Sequence, residues 1–495
     1  MENKTQTSNI LFVDLNNFAA YPTLAVGYLI KSLRQAHYNV ELLSPLALGV
    51  PAFTRDNPET WKDQLMRRLY FSGNPVMRLS RDFLREQLAK RNTKPHPKML
   101  SELDKAIEKK PSAILISAYL DHFEMCKIIG EKAKKQGVPV LLGGPFFNLD
   151  RVTKQWLGLE GINAIVGGEV EFELVDIVKD MLAGKDLSDH EGVFTIRQNT
   201  EVQPLLPLQQ LNRLPAPDFT DFPWQKYPHK IVPIMSGRGC SWGACTFCGD
   251  VVSANGRTFR SRGLDAVLDE LRVQSNIHSS SDFIFLDIKL NSDLDVWYGL
   301  INNMQKTVPG ARWIGTVHVN HLGDNGLDRE SLFAAKKAGL TRISFGLESG
   351  SQVLLDTMKK GTKVEEAGEF LKNAYDAGIS VRTSMMQSFP GETAEDLRLT
   401  VEFIKKHEKY LDRIRLSRFK PLPDTPFDRI YQKQPDRFPY MKNFKWDYKL
   451  ARGLYQYYPP RDAEYRKQKN LLLGLVYDIN RKTLRDDAKE FNGMM

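Results

Sequence analysis

Hydrophobic and polar positions follow two recurring rhythms along this chain. The run NILFVDL at 9–15 is almost wholly apolar, as a strand buried on both faces should be. PTLAVGYLIKSLRQA (22–36) follows with apolar residues at helical spacing, and YNVELLS (38–44) is strand-like again. The same succession returns at SAILISAY (112–119), FEMCKIIGEKAKKQ (123–136), VPVLLGG (138–144) and INAIVGGEVEFELVDIVKDML (162–182). Such alternation predicts an α/β domain over residues 1–210 with a parallel, doubly wound sheet. Residues 51–110 interrupt it with charged, helix-prone sequence, an expected helical insertion.

A proline-rich stretch, LNRLPAPDFTDFPW (211–224), reads as part of a linker over 211–228. Strand candidates then recur at 231–235, 283–287, 312–319, 342–348, 379–388 and 413–420. Amphipathic helices such as LDAVLDELRVQ (264–274) and AEDLRLTVEFIKKHEKY (394–410) separate them. Six βα-like units predict a partial (β/α)6 barrel over 229–430, short of a full eight-stranded one. Residues 431–495 form a C-terminal extension with twelve aromatics, among them Tyr440, Trp446, Tyr455, Tyr457 and Tyr458. That surface is expected to be buried, either over the open end of the barrel or against its outer helices.

Charge and composition narrow the class. Of 495 residues, 42% are hydrophobic, enough for packed cores, and the net charge is +9. The excess is local: residues 51–110 and 431–495 each hold 14 Lys/Arg against 8 Asp/Glu. They read as solvated peripheral segments, and no nucleic-acid motif accompanies them. No apolar run approaches the ~18 residues of a membrane span. MENKTQTSNILFVDLNN has no cleavage-type signal, and four cysteines in so long a chain point to a reducing, cytoplasmic compartment.

Three of the four cysteines fall in SGRGCSWGACTFCGD (236–250). Cys240, Cys245 and Cys248 are spaced C-x4-C-x2-C. Thiolates suit zinc, copper(I) or iron–sulfur clusters. A structural zinc site closes with four ligands, commonly in two separated pairs, and no second pair exists here. His229 and His278 sit at no zinc-ligand spacing, and Cys126 belongs to a helix of the first domain. Three local thiolates suit a cubane cluster with one iron left open. Gly237, Gly239, Gly243 and Gly249 let backbone wrap around such an anion.

This segment resembles the cluster loop of the radical S-adenosylmethionine (SAM) enzymes, whose usual spacing is C-x3-C-x2-C, one residue shorter. The resemblance implies a [4Fe–4S] cluster on Cys240, Cys245 and Cys248, with SAM chelating the open iron and Phe247 beside its adenine. RISFGLESGSQVLLDTMKKGT (342–362), GISVRTSMMQSFPGETAEDL (378–397) and RIRLSRFKPLPDTPF (413–427) are similar to the family's fourth, fifth and sixth strand segments. Glu348, Ser349 and Gln387 are the implied SAM contacts; Arg382, Gln387 and Arg415 could each serve the core or a surface salt bridge instead.

The first domain has no G-x-G-x-x-G fingerprint in its first turn. Its strands end in ISAY, LLGGP and VGGE, small or polar residues where a doubly wound sheet binds ligands. It resembles the Rossmann-like cobalamin-binding domain that precedes the barrel in one radical SAM subfamily. Ser117 then matches a serine beside the cobalamin tail, and Gly143 and Gly144 match paired glycines, with Gly167 and Gly168 on the next strand end. Asp14-Leu15-Asn16 lacks the histidine of Asp-x-His-x-x-Gly, so the implied cobalamin has no protein histidine on cobalt.

The resemblance implies a cobalamin-dependent radical SAM C-methyltransferase. It would act on an unactivated carbon of a small-molecule or peptide substrate through a 5′-deoxyadenosyl radical and methylcobalamin. An external electron donor of flavodoxin or ferredoxin type would supply electrons. The alternatives are non-methylating chemistry on the same cofactors (cyclisation, oxidation or rearrangement) and, from another class, a cobalamin- or SAM-sensing binding protein.

Overall fold

The computed structural model describes residues 8–16, 20–50, 57–92, 94–196, 206–250, 258–457 and 462–494. Tyr458, and residues 251–257 behind Cys248, lie outside the described residues.

The first sheet holds β1 (Asn9–Asp14), β2 (Asn39–Leu43), β3 (Ala113–Ser117), β4 (Val140–Gly143), β5 (Ala164–Val166) and β6 (Val193–Phe194) in the order β2-β1-β3-β4-β5-β6. Every pairing is parallel except β5 with β6. Ile10 and Phe12 pack with Val26, Ile30 and Leu33 of helix Leu24–Gln35 and with Ile177 and Val178 of helix Leu174–Leu182. Leu11 and Val13 pack on the other face with Leu103 and Ile107 of helix Pro97–Glu108 and Ile129 of helix Phe123–Lys135. Burial on both faces is why these strands read as unbroken apolar runs. Strand order reverses between β1 and β3, which opens a crevice at their carboxyl ends. The insertion is helical as expected: Trp61–Tyr70, Pro75–Asn92 and Pro97–Glu108.

The second sheet is the partial barrel. It holds β7 (Ile231–Ile234), then, beyond the short antiparallel pair β8 (Gly237–Arg238) and β9 (Arg260–Ser261), β10 (Asp282–Phe285), β11 (Arg312–Val317), β12 (Leu340–Glu348), β13 (Ser380–Gln387) and β14 (Arg413–Arg418). The six long strands run parallel in the order β14-β13-β12-β11-β10-β7. Val232, Phe283, Trp313 and Ile343 turn outward to the helices. Ile231, Ile284 and Ile314 face inward, where Phe491 and Met494 seat against them. Ala20 and Tyr21, on the loop after β1, pack against the same inner cluster. The proline-rich connection is firmly packed: Phe219 is fully buried, and a Cβ on Gly27 would lie 2.4 Å from its ring.

Both expectations for the tail apply, to different parts of it. The hairpin of β15 (Met441–Asp447) and β16 (Arg452–Tyr457) packs Met441, Phe444 and Tyr455 with Phe389 and Phe419, just beyond the carboxyl ends of β13 and β14. Its turn reaches the first sheet's helices, where Trp156 donates to the Lys449 carbonyl at 3.1 Å. Helix Ala463–Asn480 instead lies outside, with Leu472, Val476 and Ile479 in the outer core. No helix among the described residues is long and apolar enough to cross a membrane.

Buried ion pairs join the two sheets. Glu169 and Glu171 follow directly on Gly167 and Gly168. The Arg260 guanidinium donates to both Glu169 oxygens at 2.6 and 3.0 Å, and Arg238 meets Glu171 at 2.5 Å and Glu169 at 3.3 Å. Alongside, Arg262 pairs with Glu270 at 2.8 Å, and Tyr28 of the first sheet's helix donates to the same carboxylate at 3.2 Å. Glu169→Ala leaves the buried Arg260 guanidinium without a carboxylate, while Arg238 keeps Glu171, and is expected to cost about 3–5 kcal/mol. The exposed Lys105–Glu102 pair is the control: Lys105→Ala should change stability by less than about 0.5 kcal/mol. Urea unfolding midpoints measure both.

Candidate active site

Cys240, Cys245 and Cys248 lie on the loop after β8, all half-buried and none in a disulfide. The loop is strapped down on several sides. Asp287, just past β10, accepts from the Ser236 N–H and hydroxyl and from the Gly237 N–H at 2.7–3.1 Å. Burial holds its carboxyl up at about 6, against these donors. A Cβ on Gly239 would sit 1.9 Å from the Thr258 carbonyl, so only glycine passes there. Between the first two cysteines the chain turns through Gly243 at φ +56°. Trp242 donates to the Lys359 carbonyl at 2.8 Å and lies on Gly361, where a Cβ would stand 2.2 Å from its ring.

The charges converge as well. Lys360 is buried and stands 3.7 Å from Glu348. Burial opposes its ammonium, but Glu348 and all three cysteines hold its pKa up. Burial pushes the Cys245 thiol up, and Lys360 pulls it back. Lys289 donates to Ser241 at 3.0 Å; burial lowers its pKa, and Cys240 counters. A bulge between Gly346 and Glu348 turns Glu348 to φ +64°, and Ser384 donates to it at 3.2 Å. A Cβ on Gly346 would lie 2.5 Å from that carboxylate and 2.8 Å from the Lys360 ammonium, so this glycine makes room for the pair.

The remaining candidates separate. Gln387, at the end of β13, is 1% exposed, and neither of its amide atoms has a hydrogen-bond partner among the described residues. Phe247 sits 6.5 Å from Phe389, edge to face. Ser349 is engaged inside the fold, bonding the Thr400 hydroxyl and accepting from the Ser351 N–H, both at 3.1 Å. Arg382 is buried on β13 and Arg415 exposed on β14. Cys126 is buried in helix Phe123–Lys135, its thiol pushed up by burial, within the first sheet's core.

On the first sheet, Ser117 ends β3 in register with Gly143 on β4. The glycines differ in role. A Cβ on Gly144 would lie 2.0 Å from the Ala118 carbonyl, and one on Gly167 2.2 Å from the Phe147 carbonyl. The chain itself requires those two. A Cβ on Gly143 would meet nothing nearer than 3.9 Å. Gly168 is half-buried just beyond β5. These ends approach the cysteine loop: a Cβ on Gly249 would lie 3.8 Å from the Phe146 ring, two residues past Gly144.

Sequence reading missed Asp287, Lys289, His318 and Lys360. His318, past β11, contacts the Lys360 carbonyl at 2.9 Å through Nε2, and its Nδ1 is buried without a partner among the described residues. Burial and the two lysines hold its pKa down at about 3. The only trace of this group in the sequence was position, since Asp287, Lys289 and His318 each follow the end of a barrel strand.

Residues 234–404 match the family model of the radical SAM superfamily. The barrel is a radical SAM domain. An uncharacterized methyltransferase of Pyrococcus horikoshii is 26% identical over 317 residues, 62% of this chain and 66% of its own length. The bacteriochlorophyllide d C-12(1)-methyltransferase of Chlorobaculum tepidum is 25% identical over 327 residues, 64% of either chain. The chain thus spans about two thirds of the length of these curated relatives. The radical SAM methyltransferase TsrM of Kitasatospora setae, solved with cobalamin and a [4Fe–4S] cluster bound, shares the fold at a TM-score of 0.65. It is 14% identical, over 98% of this chain and 90% of its own.

Gly144→Ala should lower the urea midpoint by the equivalent of about 1–3 kcal/mol, because backbone must move. Gly143→Ala, whose Cβ would make only ordinary contacts at 3.9 Å, should stay within about 1 kcal/mol.

Proposed function

We propose that the protein is a cobalamin-dependent radical SAM enzyme that transfers a methyl group to an unactivated carbon. The observation that carries this reading is the meeting of the two strand-end sites. The glycine-lined ends of β4 and β5 reach the cysteine loop through Phe146 and Gly249 and through the Glu169–Arg238 and Glu169–Arg260 pairs. Strand ends that meet in this way would let one substrate atom face two cofactors.

The residues fit the implied groups. Among the described residues no three His, Cys, Asp or Glu side chains converge as a single metal ion requires. A cluster of several irons spreads its thiolates further apart, and three thiolates around a buried ammonium suit an anionic cluster. The unpartnered Gln387 amide suits a polar ligand beside it. When bound, the cluster with SAM supplies a hydrogen-abstracting radical and cobalamin supplies a methyl group. The chain's own work is positioning and exclusion. Cys240, Cys245 and Cys248 would hold the cluster, and Lys360 and Lys289 would balance its charge. Glu348 and Gln387 would orient SAM, with Phe247 along its adenine. Ser117 and Gly143 would admit the cobalamin edge, and the hairpin β15–β16 would keep water from the open end. Four thiols and a low-potential cluster also suit a reducing cytoplasm with a flavodoxin- or ferredoxin-type donor.

After anaerobic reconstitution, wild-type protein and Cys126→Ala should each hold about four iron and four sulfide per chain. Alanine at 240, 245 or 248 should lower that content and abolish SAM cleavage. If Cys245→Ala keeps its cluster while Cys126→Ala loses it, the ligand assignment is wrong.

Cobalamin should bind with no nitrogen superhyperfine splitting from a protein histidine in the electron paramagnetic resonance spectrum of its cobalt(II) form. Splitting of that kind contradicts the reading. Methylated product alongside 5′-deoxyadenosine supports transfer. Deoxyadenosine with an unmethylated, altered substrate points to cyclisation, oxidation or rearrangement.

A further inference from the structure

Exposed hydrophobic side chains are unevenly spread. Of the nineteen large ones exposed among the described residues, eight lie in residues 61–84. They fall on two helices of the insertion. On helix Pro75–Asn92, Val76, Leu79 and Phe83 recur at the spacing that aligns one face, and Met77 and Leu84 flank them. Val76 and Leu79 are each 71% exposed and Phe83 61%. On helix Trp61–Tyr70, Trp61 and Leu65 stand one turn apart beside Met66, with Trp61 64% exposed. An amphipathic helix normally buries such a stripe.

Helix Trp61–Tyr70 is tied to the tail and the barrel, and Arg81 of helix Pro75–Asn92 donates to the Tyr70 carbonyl at 3.3 Å. Lys469 of the tail helix donates to the Phe71 carbonyl at 3.1 Å, and Arg418 lies 5.2 Å over the Tyr70 ring. Asn480 donates to Glu59 at 2.8 Å, and Glu59 also pairs with Arg67. A fixed frame holds the apolar face outward.

Charge narrows what can cover it. Residues 61–92 hold eight Lys/Arg against three Asp/Glu; Arg67 pairs with Glu59 and Arg81 is buried, while Lys62 and Arg68 are exposed. A second copy of this chain would bring the same excess of cations against itself. An anionic bilayer meets both features at once: acyl chains take the apolar stripe, and headgroups take the cations.

We propose that residues 61–92 are an interfacial docking surface that seats the protein on an anionic lipid membrane. Val76, Leu79, Phe83 and Trp61 enter the headgroup–acyl boundary, and Lys62 and Arg68 lie at headgroup level. The chain rests on the bilayer and does not span it. This surface is independent of the cofactor reading and stands or falls without it.

The test is co-sedimentation of the full-length protein with vesicles of phosphatidylcholine containing about one quarter phosphatidylglycerol, a composition that gives the surface negative potential. Wild-type protein should bind these vesicles, bind neutral phosphatidylcholine vesicles more weakly, and lose affinity as salt rises. Trp61→Ser, Leu79→Ser and Phe83→Ser combined should weaken binding at least about tenfold, with far-UV circular dichroism and the urea midpoint unchanged. Lys62→Gln with Arg68→Gln should reduce the preference for anionic over neutral vesicles. Equal partition into neutral and anionic vesicles, or wild-type binding by the triple variant, overturns the proposal. So does a dimer in sedimentation velocity that the triple variant dissolves, which would make a second copy the occupant.

Discussion

Two carboxylates and two guanidiniums, withdrawn from water between the sheets, fix the geometry on which the rest depends. Desolvating an ion is costly, and only close, well-aligned partners recover that cost. Glu169 and Glu171 therefore tolerate little displacement of Arg238 and Arg260. Glu169 directly follows the glycine pair after β5, and Arg238 stands two residues before Cys240. The strand ends of one sheet and the cysteine loop of the other are thus indexed to each other by charge. Apolar packing alone would accept sliding, because greasy surfaces match in many registers. The Tyr28–Glu270–Arg262 group repeats the arrangement further back.

Much of the fold was legible because parallel sheets bury both faces. NILFVDL and SAILISAY read as strands from their unbroken apolar character, and each barrel strand appeared within a few residues of its place. β6 was missed, being two residues long and lacking a pattern. The tail hairpin was missed because a register shift between Lys442 and Lys445 breaks its alternation. The linker's prolines concealed that Phe219 seals a core.

The site was legible in one part only. Cys240, Cys245 and Cys248 announce themselves through local spacing. Lys289 and His318 follow the ends of separate strands and Lys360 follows the short helix Gln352–Thr357, and nothing short of the fold brings them together. Glycines were the least transparent. Gly143 and Gly144 look alike in sequence, yet a Cβ on one would make ordinary contacts and on the other would collide with the Ala118 carbonyl. A missing side chain reads the same whether it admits a ligand or the chain itself.

The seating of Phe491 inside the barrel has a consequence for biosynthesis. Its carbonyl accepts from the fully buried Arg342 at 3.4 Å, across 149 positions of chain. At ribosomal speeds of roughly 5–20 residues per second, about 7–30 s separate the appearance of the two. The first sheet has all its strands long before then. For that interval the barrel's inner wall, with an arginine in it, stays wet and open on the nascent chain. The nascent chain is then a half-finished vessel whose cysteines are already made and whose floor has yet to arrive.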